Sequence, residues 1–244
     1  MMKYFCAFLF LLFSSGSVSA QQKWGGGVDD DILHWGFSFQ YIMPQYKILK
    51  NTNWRDSYVD PGNNSTVTAP LNSISSPVSP GMGLGFVTDL KLGDNANLRF
   101  TPSLSFADRR IYYEYESGAT ILREKKVPAT MGDLPLGIKI KSDRRNNFRA
   151  YFLGGIKYSI DIISAKKNDD SGSIAVEKFV KNKRSILTYE TGVGFDIYFE
   201  WFKMSPEIKL SNSFRSVLKQ ENNPYTAPLD KLFLHSLQFS LYFE

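Results

Sequence analysis

The segment from Leu33 to Met43 reads Leu-His-Trp-Gly-Phe-Ser-Phe-Gln-Tyr-Ile-Met. Large apolar side chains occupy every second position from Leu33 to Tyr41, with smaller or polar residues between them. Since successive side chains of a β-strand point to opposite faces, this period of two predicts a strand with one apolar and one polar face. The same pattern recurs seven more times along the chain.

Seven further segments therefore predict seven further strands. They are Met82–Leu92, Leu98–Phe106, Leu134–Lys141, Arg149–Ile162, Leu187–Phe199, Met204–Phe214 and Phe233–Glu244. The connections alternate strictly in length, being long at 44–80, 115–131, 165–184 and 217–231 and short at 93–97, 142–147 and 200–203. Short turns at the end with both termini and long loops at the other end are typical of outer-membrane barrels. We predict an all-β fold, an eight-stranded antiparallel transmembrane β-barrel with short periplasmic turns and long extracellular loops.

Alternation alone does not distinguish this barrel from a soluble lipocalin-like barrel or a β-sandwich, because those folds also alternate. Aromatic residues favour the membrane barrel, since they fall where its two interfaces with water should lie. They are Trp201, Phe202, Tyr242 and Phe243 at the short-turn end and Tyr112, Tyr113 and Tyr115 at the long-loop end. The first long connection, 44–80, is rich in Pro, Ser, Thr and Asn, which predicts a loop without a core of its own.

The first twenty residues have the features of a secretory signal peptide. Lys3 precedes an apolar run from Tyr4 to Phe13, and the small residues Val18-Ser19-Ala20 end the segment, so residues 21–244 are predicted to form the barrel domain. The apolar run is shorter than the roughly 20 residues that a membrane helix needs. Removing this segment removes the only cysteine, Cys6, and with it any disulfide or thiol nucleophile.

The charge balance argues against nucleic acid as a partner. The formal net charge is +5, and it falls to +4 when Lys3 is removed with the predicted signal peptide. This small excess is spread along the chain without a basic tract, so no nucleic-acid interface is predicted.

Residue patterns for catalysis, cofactors or metals are lacking in the sequence. The two histidines, His34 and His235, are predicted at opposite ends of the barrel, where they cannot share a metal or a proton relay. His235 and Ser236 are adjacent and so face opposite sides of a strand, which excludes a nucleophile–base pair. The glycines of Gly81-Met82-Gly83-Leu84-Gly85 stand in strand register and are predicted to make room inside the barrel for long Lys and Arg side chains.

The polar faces of the predicted strands carry charges of both signs. They are Asp89, Lys91, Arg99, Lys139, Arg149, Lys157, Asp161, Glu190, Asp196, Glu207 and Lys209. Since an eight-stranded barrel is just wide enough to be filled by side chains, these charges are predicted to pair across the lumen and plug it. A ligand site or a proton path in the lumen is the alternative.

Four stretches resemble, in order and spacing, the PorT family of outer-membrane β-barrels. They are Gly132-Asp133-Leu134-Pro135-Leu136-Gly137-Ile138-Lys139, Asn146 through Tyr158 with its Gly154-Gly155 pair, Thr191-Gly192-Val193-Gly194-Phe195-Asp196, and Ser205-Pro206-Glu207-Ile208-Lys209. The match in length and layout extends over essentially the whole chain. The resemblance implies a non-enzymatic role in the type IX secretion system, which exports proteases, adhesins and gliding proteins across the outer membrane.

The leading hypothesis is therefore an accessory or assembly component of type IX secretion that is not itself the conduit. Its expected partners are the outer-membrane lipid bilayer and other subunits of the machinery, and Arg144 and Arg145 in the most basic short turn are candidate contacts. The alternative is a small outer-membrane barrel that binds a surface ligand or acts in adhesion through its long loops. A lipid-modifying enzyme is disfavoured by the placement of the histidines.

Overall fold

A computed structural model of the chain describes residue 24 and residues 31–62, 64–117, 119–162 and 177–244. The predicted signal peptide, residues 1–20, lies outside the described residues and stays a prediction. Within the described ranges, no helix is long and apolar enough to cross a membrane.

The described ranges contain fourteen β-strands. In chain order they are β1 (Leu33–Lys50), β2 (Leu71–Ser75), β3 (Gly81–Gly93), β4 (Ala96–Phe100), β5 (Ser103–Phe106), β6 (Arg109–Ser117), β7 (Ala119–Val127), β8 (Thr130–Lys141), β9 (Phe148–Asp161), β10 (Lys181–Asn182), β11 (Ser185–Tyr198), β12 (Lys203–Ser213), β13 (Leu218–Lys219) and β14 (Leu229–Phe243).

Eight strand positions close into an antiparallel barrel. β1 pairs with β14 on one side and with β3 on the other, and the ring continues in chain order through β4 with β5, β8, β9, β11 and β12. β4 and β5 occupy one position, interrupted at Thr101 and Pro102, because proline has no N–H to donate to the ladder. The register with β3 and β8 is the same on both sides of the interruption. The predicted eight-stranded antiparallel barrel is confirmed.

The barrel wall is apolar outside and polar inside. On β1, Trp35 and Phe37 point outward and are 69% and 49% exposed, whereas His34 and Ser38, on the opposite face of the strand, are buried. Large apolar side chains are exposed in the same way on all eight strand positions. In water such a surface would aggregate, but it matches the hydrocarbon of a bilayer, inside which a closed barrel leaves no backbone group unpaired. A soluble barrel or sandwich would bury these apolar side chains, so both soluble alternatives are excluded.

The short turns lie at one end of the barrel. In the turn between β8 and β9, Arg145 and Phe148 exchange backbone hydrogen bonds of 3.0 and 3.1 Å. Asn146 adopts a φ of 56° there, which asparagine tolerates better than most residues. Between β11 and β12, the Phe199 N–H donates to the Phe202 carbonyl at 2.8 Å.

In the described residues, the long connections form a folded cap over the other end, and residues 165–176 of the third predicted connection lie outside the described residues. The prediction that residues 44–80 lack a core is wrong. β1 continues to Lys50, still paired with β14, and β2, β6 and β7 form a separate three-stranded sheet. Leu71 and Ile74 of the first long connection are buried. These two apolar residues anchor a segment that is otherwise rich in polar residues. The cap core comprises Tyr46, Leu71, Ile74, Ile111, Tyr113, Tyr115, Val127, Ala129, Met131, Val180, Ile186, Val217, Leu218, Tyr225, Leu229 and Leu232.

Four of the predicted interface aromatics are placed elsewhere. Tyr113 and Tyr115 are buried in the cap core, and half-buried Tyr112 lies on β6 of the same sheet. Tyr242 is fully buried inside the barrel. All four residues lie at the predicted end of the molecule. The sequence pattern does not show that the long loops form a sheet that buries Tyr113 and Tyr115, or that Tyr242 points into the barrel.

Other aromatic residues do lie on the outer wall near the two ends. At the short-turn end, Trp201 and Phe202 are exposed and Phe243 is half-buried, as predicted. At the long-loop end the exposed aromatic side chains include Phe106, Tyr158, Tyr189 and Phe214. Rings in these positions suit the boundary between hydrocarbon and water.

Candidate functional site

Arg99 on β4 is the centre of the charged lumen. Its Nε and Nη2 atoms each lie 2.7 Å from a carboxylate oxygen of Asp89, which makes the pair bidentate. Nη2 also lies 2.9 Å from Oε1 of Glu244, and Nη1 lies 3.4 Å from Oε2 of Glu207. Since β4 and β12 stand opposite each other in the ring, the contact between Arg99 and Glu207 spans the lumen.

Two lysines extend this cluster around the wall. The Lys139 ammonium lies 2.8 Å from Oδ1 of Asp196 and 3.7 Å from Oδ2 of Asp89. Asp196 also accepts a 2.6 Å hydrogen bond from the Ser205 hydroxyl. Lys203 lies 2.9 Å from the second carboxylate oxygen of Glu244. Each carboxylate in this layer therefore faces at least one cation.

Two tyrosines fill the space between these charges. The hydroxyls of Tyr151 and Tyr242 donate to the two carboxylate oxygens of Glu207 at 3.0 and 3.1 Å. The Arg99 guanidinium lies 4.7 Å from the centre of the Tyr242 ring, and the Lys139 ammonium lies 4.0 Å from that of Tyr151. Rings at these distances add a cation–π attraction to the ion pairs.

A second layer lies closer to the cap. Glu190 lies 2.9 Å from the Lys157 ammonium and 3.5 Å from that of Lys209. Lys209 also lies 3.3 Å from Glu207 and so joins the two layers. We call the resulting ten residues the lumen network: the cations Arg99, Lys139, Lys157, Lys203 and Lys209 and the carboxylates Asp89, Glu190, Asp196, Glu207 and Glu244.

The lumen network carries equal numbers of positive and negative charges, which suits a buried site because an unpaired charge there would be strongly unfavourable. Little space is left around it. A cavity bordered by Arg99, Glu190 and Lys209 measures about 10 Å³, and a second, nearer the cap beside Asp133 and Lys157, measures about 20 Å³. Each has room for about one water molecule. Ion pairs and tyrosine side chains therefore fill the barrel at the level of the lumen network.

The structure brings eight of the eleven predicted lumen charges into the network. The other three, Lys91, Arg149 and Asp161, lie toward the ends of the barrel. Lys91 is 29% exposed and lies 3.7 Å from the exposed Asp94, Arg149 is half-buried at the start of β9, and Asp161 is buried at the end of that strand.

The predicted set of lumen charges leaves out two members of the network, Lys203 and Glu244, which both stand at strand ends. The alternation of inward and outward side chains could have identified both residues. Lys203 falls on the same face of β12 as Glu207 and Lys209, and Glu244 continues the inward face of β14. Asp133 was also missed. It is buried on β8 and accepts hydrogen bonds from the hydroxyls of Ser105 and Ser159.

The two histidines are far apart. His34 is buried at the start of β1, and His235 lies on β14 with its ring beside Asn212. Gln45, the register partner of His235, comes eleven residues after His34, which is about 36 Å along a strand. Within the described ranges, no group of three or more His, Cys, Asp or Glu side chains is arranged to hold a metal ion.

The two candidate contact residues have different environments. Arg144 donates from Nε to the Asn146 carbonyl at 2.8 Å and from Nη2 to the Asn147 side chain at 3.1 Å, and it also bonds the Trp24 carbonyl. Its guanidinium lies 3.7 Å from the centre of the Tyr198 ring. Arg144 therefore holds the turn together and is not a free contact residue. The Arg145 side chain is exposed and remains the candidate.

An apolar groove of about 720 Å³ crosses the outer wall where β4 and β5 are interrupted. Its lining includes Phe37, Leu84, Phe86, Pro102 and Leu104. A groove of this composition on a lipid-facing wall is the kind of surface that acyl chains cover, so it does not require a soluble ligand.

The glycines of Gly81-Met82-Gly83-Leu84-Gly85 do not make room for Lys and Arg as predicted, because Cβ atoms at Gly81, Gly83 and Gly85 would meet Ala107, Gln40 and Ser103. Farther along the chain, the inward Gly194 makes room for a tyrosine. A Cβ atom at Gly194 would lie 2.4 Å from the Cζ and hydroxyl oxygen of Tyr151 and 2.8 Å from the Pro206 carbonyl oxygen. The missing side chain at this position therefore allows Tyr151 to reach Glu207.

We expect Gly194→Ala to lower the free energy of unfolding by about 1–3 kcal/mol, because Tyr151 must move out of a filled interior. Urea unfolding in detergent, followed by the gel mobility of unheated samples, measures the change. Gly93→Ala is the matched control, since a Cβ there meets nothing within 4 Å. Equal stability of the two variants would show that the contact with Tyr151 is not tight.

No family model and no curated protein sequence matches the chain. Among solved structures, the outer membrane protein OprG from Pseudomonas aeruginosa is similar at 11% identity and a TM-score of 0.41, covering 92% of this chain and 97% of OprG. Ail of Yersinia pestis, solved with the heparin analogue sucrose octasulfate, has 10% identity and a TM-score of 0.34 over 86% and 96%. AlkL, an outer membrane protein, has 11% identity and a TM-score of 0.35 over 95% and 93%. These values are too low to transfer any property, so the fold assignment rests on the strand pairing and the inside-out wall of this chain.

Proposed function

We propose that this protein is an outer-membrane accessory or assembly component of the type IX secretion system and is not its conduit. The short turns then face the periplasm and the cap faces the outside, as in barrels whose termini are periplasmic. Neither catalysis nor a cofactor is part of the proposed role, in which the barrel binds other subunits of the machinery.

The filled lumen is the observation that carries the non-conduit part of the proposal. Arg99 reaches across the ring to Glu207, and Lys139 on β8 reaches Asp196 on β11, so ion pairs cross the interior in more than one direction. A passenger protein would have to break these pairs and leave buried charges without partners. The folded cap covers the long-loop end as well.

The secretion part of the proposal rests on the resemblance to the PorT family. The stretch from Gly132 to Lys139 forms most of β8, and the stretch from Asn146 to Tyr158 forms the turn and most of β9. Both therefore lie on neighbouring strands beside the basic turn that contains Arg145. This turn is the periplasmic surface that we propose to contact another subunit.

Deletion of the gene tests the secretion role, and conductance tests the closed lumen. We expect the deletion strain to retain secreted passenger proteins inside the cell and a plasmid copy to restore their export. Purified protein in planar bilayers should show little steady current, because eight strands enclose a lumen that side chains fill. Normal export in the deletion strain would refute the secretion role, and a large, stable pore would refute the closed lumen.

The cap favours a second candidate function, the binding of a partner at the cell surface. β7 is an edge strand of the three-stranded cap sheet, and within the described ranges no strand pairs with its outer side. Free backbone groups on an edge strand can pair with an extended segment of another protein. Normal secretion in the deletion strain, together with loss of surface attachment, would favour this function over the first.

A further inference from the structure

A pocket of about 610 Å³ lies on the barrel wall at the long-loop end, where β9 and β12 end and β11 begins. We call it the rim pocket, and its lining includes Tyr158, Lys183, Leu187, Phe214 and Arg215. The pocket lies outside the lumen and involves no member of the lumen network.

The lower part of the rim pocket is a row of three outward apolar side chains. Tyr158 on β9 is the register partner of Leu187 on β11, and the Phe214 N–H donates to the Leu187 carbonyl at 3.1 Å. Their side chains are roughly half-exposed, and the ring of Tyr189 lies 5.2 Å from that of Phe214. Such a row at one height on the outer wall is a contact surface for hydrocarbon.

The upper part of the rim pocket is positively charged. Lys183 and Arg215 both line it and are both exposed, and the Lys183 N–H donates to the Val217 carbonyl at 2.8 Å, which fixes the two segments side by side. Within the described ranges, neither side chain forms an ion pair with a carboxylate. Arginine matches phosphate oxygens in a bidentate way, and lysine adds a compact charge.

We propose that the rim pocket binds an anionic membrane lipid, with the phosphate of its headgroup between Lys183 and Arg215 and an acyl chain along Tyr158, Leu187 and Phe214. The order of the two surfaces identifies the ligand as a lipid and not a soluble anion, because cations stand directly above an apolar row on a membrane-facing wall. The proposal rests on membrane insertion of the barrel, and it does not depend on a role in secretion.

Native mass spectrometry of the full barrel, released from detergent micelles with added lipid, tests the proposal. We expect one phosphatidylglycerol to remain bound in preference to phosphatidylcholine. The double variant Lys183→Gln, Arg215→Gln should lower the apparent affinity for phosphatidylglycerol about 30-fold, since each cation at a membrane surface contributes a factor of roughly five. Leu187→Ser should also weaken binding, because it interrupts the apolar row.

The matched control is Lys47→Gln, Lys231→Gln, which removes two exposed cations from the same end of the molecule on β1 and β14. An equal loss in both double variants would show general electrostatic attraction and would overturn the site. Equal retention of both lipids, or full competition by inorganic phosphate, would overturn the lipid assignment. Each variant must keep the gel mobility of the unheated barrel, so that lost binding is not lost folding. Because the readout uses purified protein, failure here and failure of the secretion role are distinguishable.

Discussion

Replacing Arg99 with methionine is expected to lower the free energy of unfolding by about 3–5 kcal/mol, the usual effect of removing one partner from a buried ion pair. Asp89 would lose both of its 2.7 Å contacts, and Glu207 and Glu244 would each lose a cation. Methionine fills much of the same volume, so the loss reports mainly on charge. The midpoint of urea unfolding in detergent, read from the mobility of unheated samples on a denaturing gel, measures it.

Arg145→Met is the matched control, since that arginine is exposed in the turn between β8 and β9. Asp89→Asn in the Arg99→Met background should restore part of the stability, because it removes one of the three carboxylates that have lost the Arg99 cation. If Arg99 stabilised the barrel only by filling space, Asp89→Asn would restore no stability. An Arg99→Met barrel that unfolds at the wild-type urea concentration would refute the view that this ion-pair cluster stabilises the closed barrel.

Replacing Tyr113 with alanine should unfold the cap and leave the barrel intact. Tyr113 is fully buried in the cap core, its hydroxyl donates to the Tyr225 carbonyl at 2.8 Å, and the two rings lie 5.3 Å apart. Burial holds the pKa of the Tyr113 hydroxyl well above its usual range, so it stays protonated and able to donate. Loss of a buried aromatic side chain of this size costs about 3–5 kcal/mol. Trypsin should then cleave the cap after Arg123 or Lys125 while the barrel keeps its unheated gel mobility.

Tyr112→Ala is the matched control, because Tyr112 is the neighbouring residue on β6 and is only half-buried. It should leave the cap resistant to trypsin at concentrations that cleave the Tyr113→Ala variant. Cleavage of both variants at the same rate would mean that Tyr113 does not anchor the cap. Loss of the barrel mobility in Tyr113→Ala would mean that cap and barrel unfold together.

Local patterns were sufficient for the barrel itself. Each wall residue must face either lipid or lumen, so the alternation of Leu33 to Met43 and its seven repeats specifies the strands without reference to any distant residue. The alternation of short and long connections predicts that consecutive strands are antiparallel neighbours in the ring. The alternation by itself also predicts that the side chains of Arg99, Lys139 and Glu207 point into the barrel.

Only the tertiary structure decided which charges meet and which residues the loops bury. Arg99 and Glu207 are 108 residues apart in sequence, and their contact depends on closure of the ring, which sets β4 opposite β12. The cap depends in the same way on β2 pairing with β6 across a long connection whose composition is that of a turn-rich loop. Arg144 and Arg145 are adjacent arginines in the same turn and cannot be distinguished by sequence, yet Arg144 lies against Tyr198 and the turn backbone. A periodic pattern shows which side chains share a face of one strand. Ion pairs and contacts within the cap or the turns join distant segments, which come together only when the barrel closes.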